Sequence, residues 1–417
     1  MKLRPLAILL FALSSYAGAV EPTELRIWTS KSGSKISAKA IEMTKNGAIQ
    51  LITKDGRELT LGIDEFSGQD QAFLEKHFKK KEVRLVANAG SLEGPVKADA
   101  DTSYFVYVPK DLDPGTCAPV MIWTQSDGAK AETLQRFSEA ADVLGMIIAS
   151  PIEARYEGQV TLLNNFVHTR DVLADVKADY NISGNGIHFG GDKSGGTAAF
   201  HNSLKIKSAG TYTVSGYFTP DMTGANKGHH FMAGSTNSSY RYLTAYAAAK
   251  FDEDATHNFY VGAREMPDSR DIAIGMIWMY AQGLYEHAAG RSEEINTFEE
   301  RVLPYLKEMA LTSKGDATYL TRMLTSECPL KGRFKQEIEK LHTGLSQSKE
   351  AVAHVRGMEA LDVFSKTQLA RYGSHFTPLT EHGPTKFGRM MEKLEKTYGK
   401  AGELQPVFKA LAGPTHR

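Results

Sequence analysis

The sequence predicts a multi-domain protein: a small antiparallel β-barrel, an α/β body with a mostly parallel sheet and helices on both faces, and a helical carboxy-terminal region. Three observations lead there. Short, partly alternating apolar runs between residues 24 and 78 are divided by Ser32-Gly33, Asn46-Gly47 and Asp55-Gly56, and Asn-Gly and Asp-Gly accept the positive φ of tight hairpin turns. From 100 to 285, β-type runs alternate with helical stretches, the pattern of a sheet covered on both faces. Inside that body, Gly186-Ile187-His188-Phe189-Gly190-Gly191-Asp192-Lys193-Ser194-Gly195-Gly196-Thr197 passes from an apolar strand through a glycine-rich corner into an Ala-rich helix.

At the start of the chain, Lys2 and Arg4 flank an apolar run over 6–13, and Ala17-Gly18-Ala19 stands ahead of Val20. This is the layout of a cleaved secretory signal, 1–19, with cleavage near Ala19. The mature protein is therefore expected to be secreted, or to reside in the periplasm or cell envelope. No stretch approaches the roughly 20 apolar residues of a membrane helix. Formal charge is zero, and loss of Lys2 and Arg4 leaves about −2, which offers no footprint for nucleic acid or anionic membrane. At 417 residues and 41% hydrophobic, the chain can bury more than one core. Its two cysteines, Cys117 and Cys328, are compatible with one bridge or with two independent thiols.

Strand-like runs at 25–29, 36–40, 48–53 and 58–61 are followed by Ser67, a helix cap, and a short amphipathic helix. Through Arg26, Trp28-Thr29, Gly33, Ala38, Asp55-Gly56 and the ending at 67–74, residues 24–78 resemble the SLA homology domain, an SH3-like barrel. The resemblance implies a protein or peptide ligand. Trp28 reads either as core or as an exposed anchor of a peptide groove. Residues 79–99, with Lys79-Lys80-Lys81 and several Gly, Asn and Pro, read as a flexible linker.

In the body, 100–285, strands are expected at 103–109, 118–123 and 146–151, with helices at 131–144 and 167–179. The glycine-rich corner has the form of a nucleophile elbow, in which small residues let the backbone turn sharply and push the middle side chain out above the sheet. With Tyr180-Asn181-Ile182 upstream and Gly191, Lys193, Gly195 and Gly196 in register, it resembles the elbow of polyhydroxybutyrate-depolymerase-like and feruloyl-esterase-like α/β hydrolases. That register puts Lys193 where the nucleophile stands. Ser194 then falls just inside the helix, placed to cap or pack and to lend its backbone N–H to an oxyanion hole.

The other family positions can be carried over one by one. Where the family has His-Gly and further glycines after an early strand, this chain has Thr124-Gln125-Ser126-Asp127-Gly128, which makes Gln125 a candidate ligand contact. A pattern like G-x-x-D becomes Gly234-Ser235-Thr236-Asn237, and Asn237 cannot carry the charge that stabilises an imidazolium. The pattern resembling G-H-E-x-P is matched by Gly262-Ala263-Arg264-Glu265-Met266-Pro267, so a permanently charged Arg264 replaces the histidine. The resemblance thus implies degenerate triad positions Lys193, Asn237 and Arg264, and no intact catalytic set.

The expected function is that of an exported, non-catalytic binding or structural protein; the alternative is an esterase-type serine hydrolase using Ser194. No cofactor motif is present. His229-His230 makes a poor metal pair, because sequence neighbours diverge in direction; His188 is expected packed or at the surface. A Schiff-base role for Lys193 lacks a general acid in the sequence. Lys193 and Arg264 carried onto one pocket bring two cations together. Either an internal carboxylate (Asp192, Glu265 or Asp127) or the anionic group of a small molecule or glycan neutralises them, with Ser194 and Gln125 as further contacts.

After a last hydrolase-type helix at 272–284, helical patterns continue at 298–311, 317–324, 334–341 and 349–364, with a final helical part over 387–411. The region 286–417 either caps the body or forms a separate protein-binding bundle.

Overall fold

The structure, a computed structural model, describes residues 23–43, 48–78, 89–113, 116–155, 162–214, 216, 229–235, 257–262, 266–286, 288, 291–364, 393, 396 and 397. The chain divides into two compact units, Met1–Lys79 and Lys80–Arg417.

The first unit is an antiparallel sheet of β1 (Arg26–Thr29), β2 (Lys35–Met43), β3 (Ala48–Thr53) and β4 (Glu58–Gly62), in that spatial order, followed by α1 (Gly68–His77). Gly33 and Gly56 take the positive φ that their turns require, at 84° and 83°. Ser67 caps α1 by accepting the Asp70 N–H. Beyond β4 the chain returns to β1 through a single bridge, Ser30 to Phe66, with Ser67 N–H donating to the Thr29 carbonyl. Trp28 belongs to the core of this unit: it is 1% exposed, packs edge-on against Phe66, and donates its indole N–H to Ala38 O at 2.8 Å. As a groove anchor it is therefore corrected, because an indole satisfied internally on both its face and its N–H has nothing left to offer a peptide.

The second unit is built on eight strands: β5 (Leu92–Asp99), β6 (Thr102–Tyr107), β7 (Ala118–Thr124), β8 (Ile147–Pro151), β9 (Ile182–Asp192), β10 (Gly210–Val214), β11 (His229–Ser235) and β12 (His257–Gly262). Their spatial order is β5-β6-β8-β7-β9-β10-β11-β12, and only β6 runs against the others. This is an α/β-hydrolase-like fold. All seven residues of β7 are buried, as a central strand covered on both faces requires. One face packs on α4 (Leu162–Asp179) and α5 (Ser194–Lys205), through Val120, Ile122, Phe189, Val172, Val176 and Ala199. The other packs on α2 (Ala131–Gln135), α3 (Ser138–Leu144) and α6 (Ser269–Glu286), through Met121, Trp123, Tyr212, Phe231, Phe137 and Trp278.

Three expectations are revised here. The linker expected over 79–99 ends earlier, since 92–99 form β5 and pair with β6 in the sheet, while 79–88 lie outside the described residues. The single helix expected over 131–144 is two, broken where Phe137 turns inward against Trp123, ring centroids 4.6 Å apart. The boundary at 285 divides no core: α7 (Ser292–Thr312), α8 (Lys314–Glu327), α9 (Gly332–Leu345) and α10 (Lys349–Phe364) continue the α6 side of the body, with Phe298, Leu306, Leu320, Phe334 and Met358 in the same cluster as Trp278. These helices cap the body. The helix expected over 387–411 falls almost wholly outside the described residues. Cys117 and Cys328 are not joined to each other.

Candidate functional site

Strands β7 to β12 run parallel to one another and so end on one edge of the sheet, where α/β proteins place their ligands. On that edge β9 turns directly into α5, and the residue between them is Lys193, with φ 50° and ψ −120°. It is the one non-glycine residue with positive φ among the described residues. That is the sharp, strained turn of a nucleophile elbow. Glycines make it possible by close approach rather than by flexibility. A Cβ on Gly195 would stand 2.1 Å from the Thr124 carbonyl oxygen, one on Gly191 2.3 Å from the Gly195 backbone, and one on Gly196 2.7 Å from Gly216 Cα. The corner is pinned further by the Lys193 N–H, which donates to Val214 O at 2.8 Å.

Ser194 is the first residue of α5 and half-buried, one position past the turn. Gln125 follows β7 but faces inward: its amide donates to Thr133 Oγ1 at 3.0 Å, and its Oε1 accepts the Lys130 N–H at 2.6 Å. It braces the loop, and its reading as a ligand contact is corrected, because both ends of the amide are taken and the residue is buried. Two of the same loop's backbone donors are already taken. Ser126 N–H goes to Asp192 Oδ1 at 3.1 Å and Gly128 N–H to Gln125 O at 3.3 Å. In the elbow architecture this loop supplies one of the two oxyanion donors. Asp127 pairs with Lys130, and is bridged to Arg155 by backbone pairing.

Asp192 is the residue that the sequence reading named only as one of three counter-charges. It is buried directly before Lys193. Burial pushes its carboxyl above the usual carboxylate range, against the Ser126 N–H and the Lys193 charge, which favour the anion. Asn237, Arg264 and Glu265 lie outside the described residues, so the pairing of Lys193 or Arg264 with Glu265 does too. The strands that precede them, β11 and β12, end at Ser235 and Gly262 on the elbow's edge. The contact between Asp192 and the β7 loop left no trace in the sequence, being a side-chain-to-backbone bond across 66 positions.

At the opposite end of β9 lies a second polar cluster. His188 is fully buried with neither ring nitrogen hydrogen-bonded, edge-on to Tyr280 at 5.7 Å. Burial, helped by the Arg291 charge and His229, pushes its imidazole down to about 3. Arg291, 2% exposed, donates to Glu294 Oε2 at 2.6 Å and to Gly283 O, while Ser183 Oγ donates to Glu294 Oε1. His229 meets Glu286 at 2.6 Å. No group of three metal-ligating side chains occurs among the described residues, and no helix among them is long and apolar enough to cross a membrane.

No known family model and no curated protein matches the sequence. Among solved structures, the chain is similar to Est1E from Butyrivibrio proteoclasticus, with 12% identity and a TM-score of 0.38 over 45% of this chain and all of that one. It is similar also to an S-formylglutathione hydrolase from Agrobacterium tumefaciens, with 11% identity and a TM-score of 0.34 over 56% and 93%. A third is a putative dienelactone hydrolase from Klebsiella pneumoniae, with 11% identity and a TM-score of 0.34 over 41% and 85%. Strand order and the elbow, rather than these distant likenesses, carry the description of the fold.

Proposed function

We propose that this chain is an exported, non-catalytic binding protein: a hydrolase-like body that holds a ligand without cleaving it, joined to an SLA-homology, SH3-like barrel that binds protein or peptide. One observation carries the reading. The residue on the strained turn is Lys193, and a triad deprived of its hydroxyl nucleophile loses nearly all of its contribution to rate. Further support comes from the β7 loop, where the Ser126 N–H is bonded to Asp192 rather than left for an oxyanion. For the barrel, support comes from Leu25 and Ile27, 43% and 61% exposed beside and on the edge strand β1. The ligand of the body is an anionic small molecule or glycan of the cell envelope, and the signal-like residues 1–19 take the protein there.

A fluorophosphonate probe tests this on the full-length protein. No labelling is expected. Labelling that disappears in Ser194→Ala would instead make the chain a serine hydrolase with a displaced nucleophile.

A further inference from the structure

His188 lies fully buried in β9 with neither ring nitrogen hydrogen-bonded, and it faces α6, where the Tyr280 ring meets it edge-on at 5.7 Å. The strands beside it offer no charged group, since its register neighbours are Met121 on β7 and Gly210 on β10. The titratable and charged groups around it are Tyr280 and Glu286 on α6, His229 on β11, and Arg291 and Glu294 at the head of α7. Both carboxylates are already engaged. Glu286 is on His229 at 2.6 Å. Glu294 accepts the Ser183 hydroxyl on Oε1 at 3.1 Å, and on Oε2 it accepts Arg291 at 2.6 Å and the Tyr280 hydroxyl at 3.5 Å. An imidazolium formed here would have no acceptor, so water must reach the ring before it takes a proton.

The cover over the ring is uneven. Every residue of α6 from Ile272 to Tyr285 is buried, whereas α7 has no fully buried apolar side chain before Phe298. Its head is held instead by polar contacts, Arg291 to the Gly283 carbonyl at 3.2 Å and Glu294 to Ser183. Segments with few buried apolar contacts open first. Tyr280 joins the two places, because its ring touches His188 and its hydroxyl meets Glu294. We infer that the head of α7, residues 291–297, is an acid-released latch: protonation of His188 unwinds it from β9 and α6 while the rest of the body stays folded. Above pH 6.5 the ring is neutral in either state and the latch is shut. Below it, the hydrated ring takes a proton that the buried one refuses until about pH 3. The open fraction therefore rises roughly tenfold per pH unit between about pH 6 and 4. This device is independent of what the elbow binds.

Hydrogen exchange of the full-length protein, read by mass spectrometry from pH 7 to 4.5 and corrected for the intrinsic rate, tests it. The amides at 295–298, the first to close helical bonds in α7, are the reporters; that of Ile295 donates to the Arg291 carbonyl at 2.9 Å. Their protection is expected to fall roughly tenfold between pH 6 and 5, while α4 and α5, on the other face of the sheet, keep theirs. His188→Leu should abolish the fall, and His229→Gln should leave it in place. Constant protection at 295–298 in the wild type overturns the inference. So does an equal loss in α4 and α5, which is global unfolding without a latch. A fall that survives in His188→Leu, or vanishes in His229→Gln, removes His188 as the trigger and overturns it too.

Discussion

Lys193 occupies a backbone conformation that costs a residue bearing a Cβ about 1–3 kcal/mol. Lys193→Gly removes that cost and adds back part of it as unfolded-chain entropy, so a net gain of about 1 kcal/mol is expected. Thermal unfolding should read it as a rise of roughly two degrees in the midpoint. Its neighbour behaves oppositely. In Gly195→Ala, the new methyl meets the Thr124 carbonyl at 2.1 Å, and neither backbone can yield without opening the turn. A loss of at least about 2 kcal/mol is expected in urea melts. His188 supplies a pH dependence with a definite sign. Unfolded, it takes a proton near 6.5, whereas folded it resists protonation to about 3, held neutral by burial beside Arg291 and His229, with Glu294 and Glu286 on the facing helices. Its contribution to stability is complete above pH 6.5 and is lost as the pH falls toward 3, at up to about 1.4 kcal/mol per pH unit. Melts taken from pH 7 to 4.5 should show that slope, and His188→Leu should flatten it.

At the scale of elements, α7 is fastened to the sheet through charge rather than grease alone. Arg291 precedes it, Glu294 lies in its first turn, and together they reach Gly283 on α6 and Ser183 on β9. Arg291→Leu leaves the Glu294 side chain, 10% exposed, without its cation, and removal of one member of a buried pair costs about 3–5 kcal/mol. The double change, Arg291→Leu with Glu294→Leu, should recover much of that loss, since an apolar replacement of both partners leaves no stranded charge. Chemical denaturation of the two variants side by side distinguishes a seam held by charge pairing from one held by shape: equal losses would mean shape.

For the whole molecule, the consequence of a shared core is that the helical region cannot be removed. Trp278 on α6 donates its indole N–H to Glu327 at 2.9 Å, and Gln282 donates to the Glu327 carbonyl at 3.0 Å, both on α8. A chain ending at Glu286 exposes Trp278 and the apolar outer side of α6. It is expected to lose its cooperative thermal transition and to bind a hydrophobic dye. A soluble fragment with a sharp transition would show that the boundary at 285 is a real domain edge after all.

Sequence by itself determined most elements of the body and the register of the elbow, because both are local. The glycines at 191, 195 and 196, an apolar strand before them and an Ala-rich helix after them specify a strand-to-helix corner with Lys193 at its tip, and alternating βα runs specify a covered parallel sheet. His188 was legible as a packed or surface residue from its alternation, but not its isolation from hydrogen bonds. What tertiary structure decided were partners far apart in the chain. Trp28 is core because Ala38 and Phe66 close over it; Gln125 is a brace because Thr133 and Lys130 claim its amide; 92–99 is a strand because β6 pairs with it. The helices after 286 cap the body because Phe298 and Phe334 meet the same core as Trp278. Each of these depends on which surface a side chain finds once the chain has closed on itself, and residue type and spacing carry no record of that.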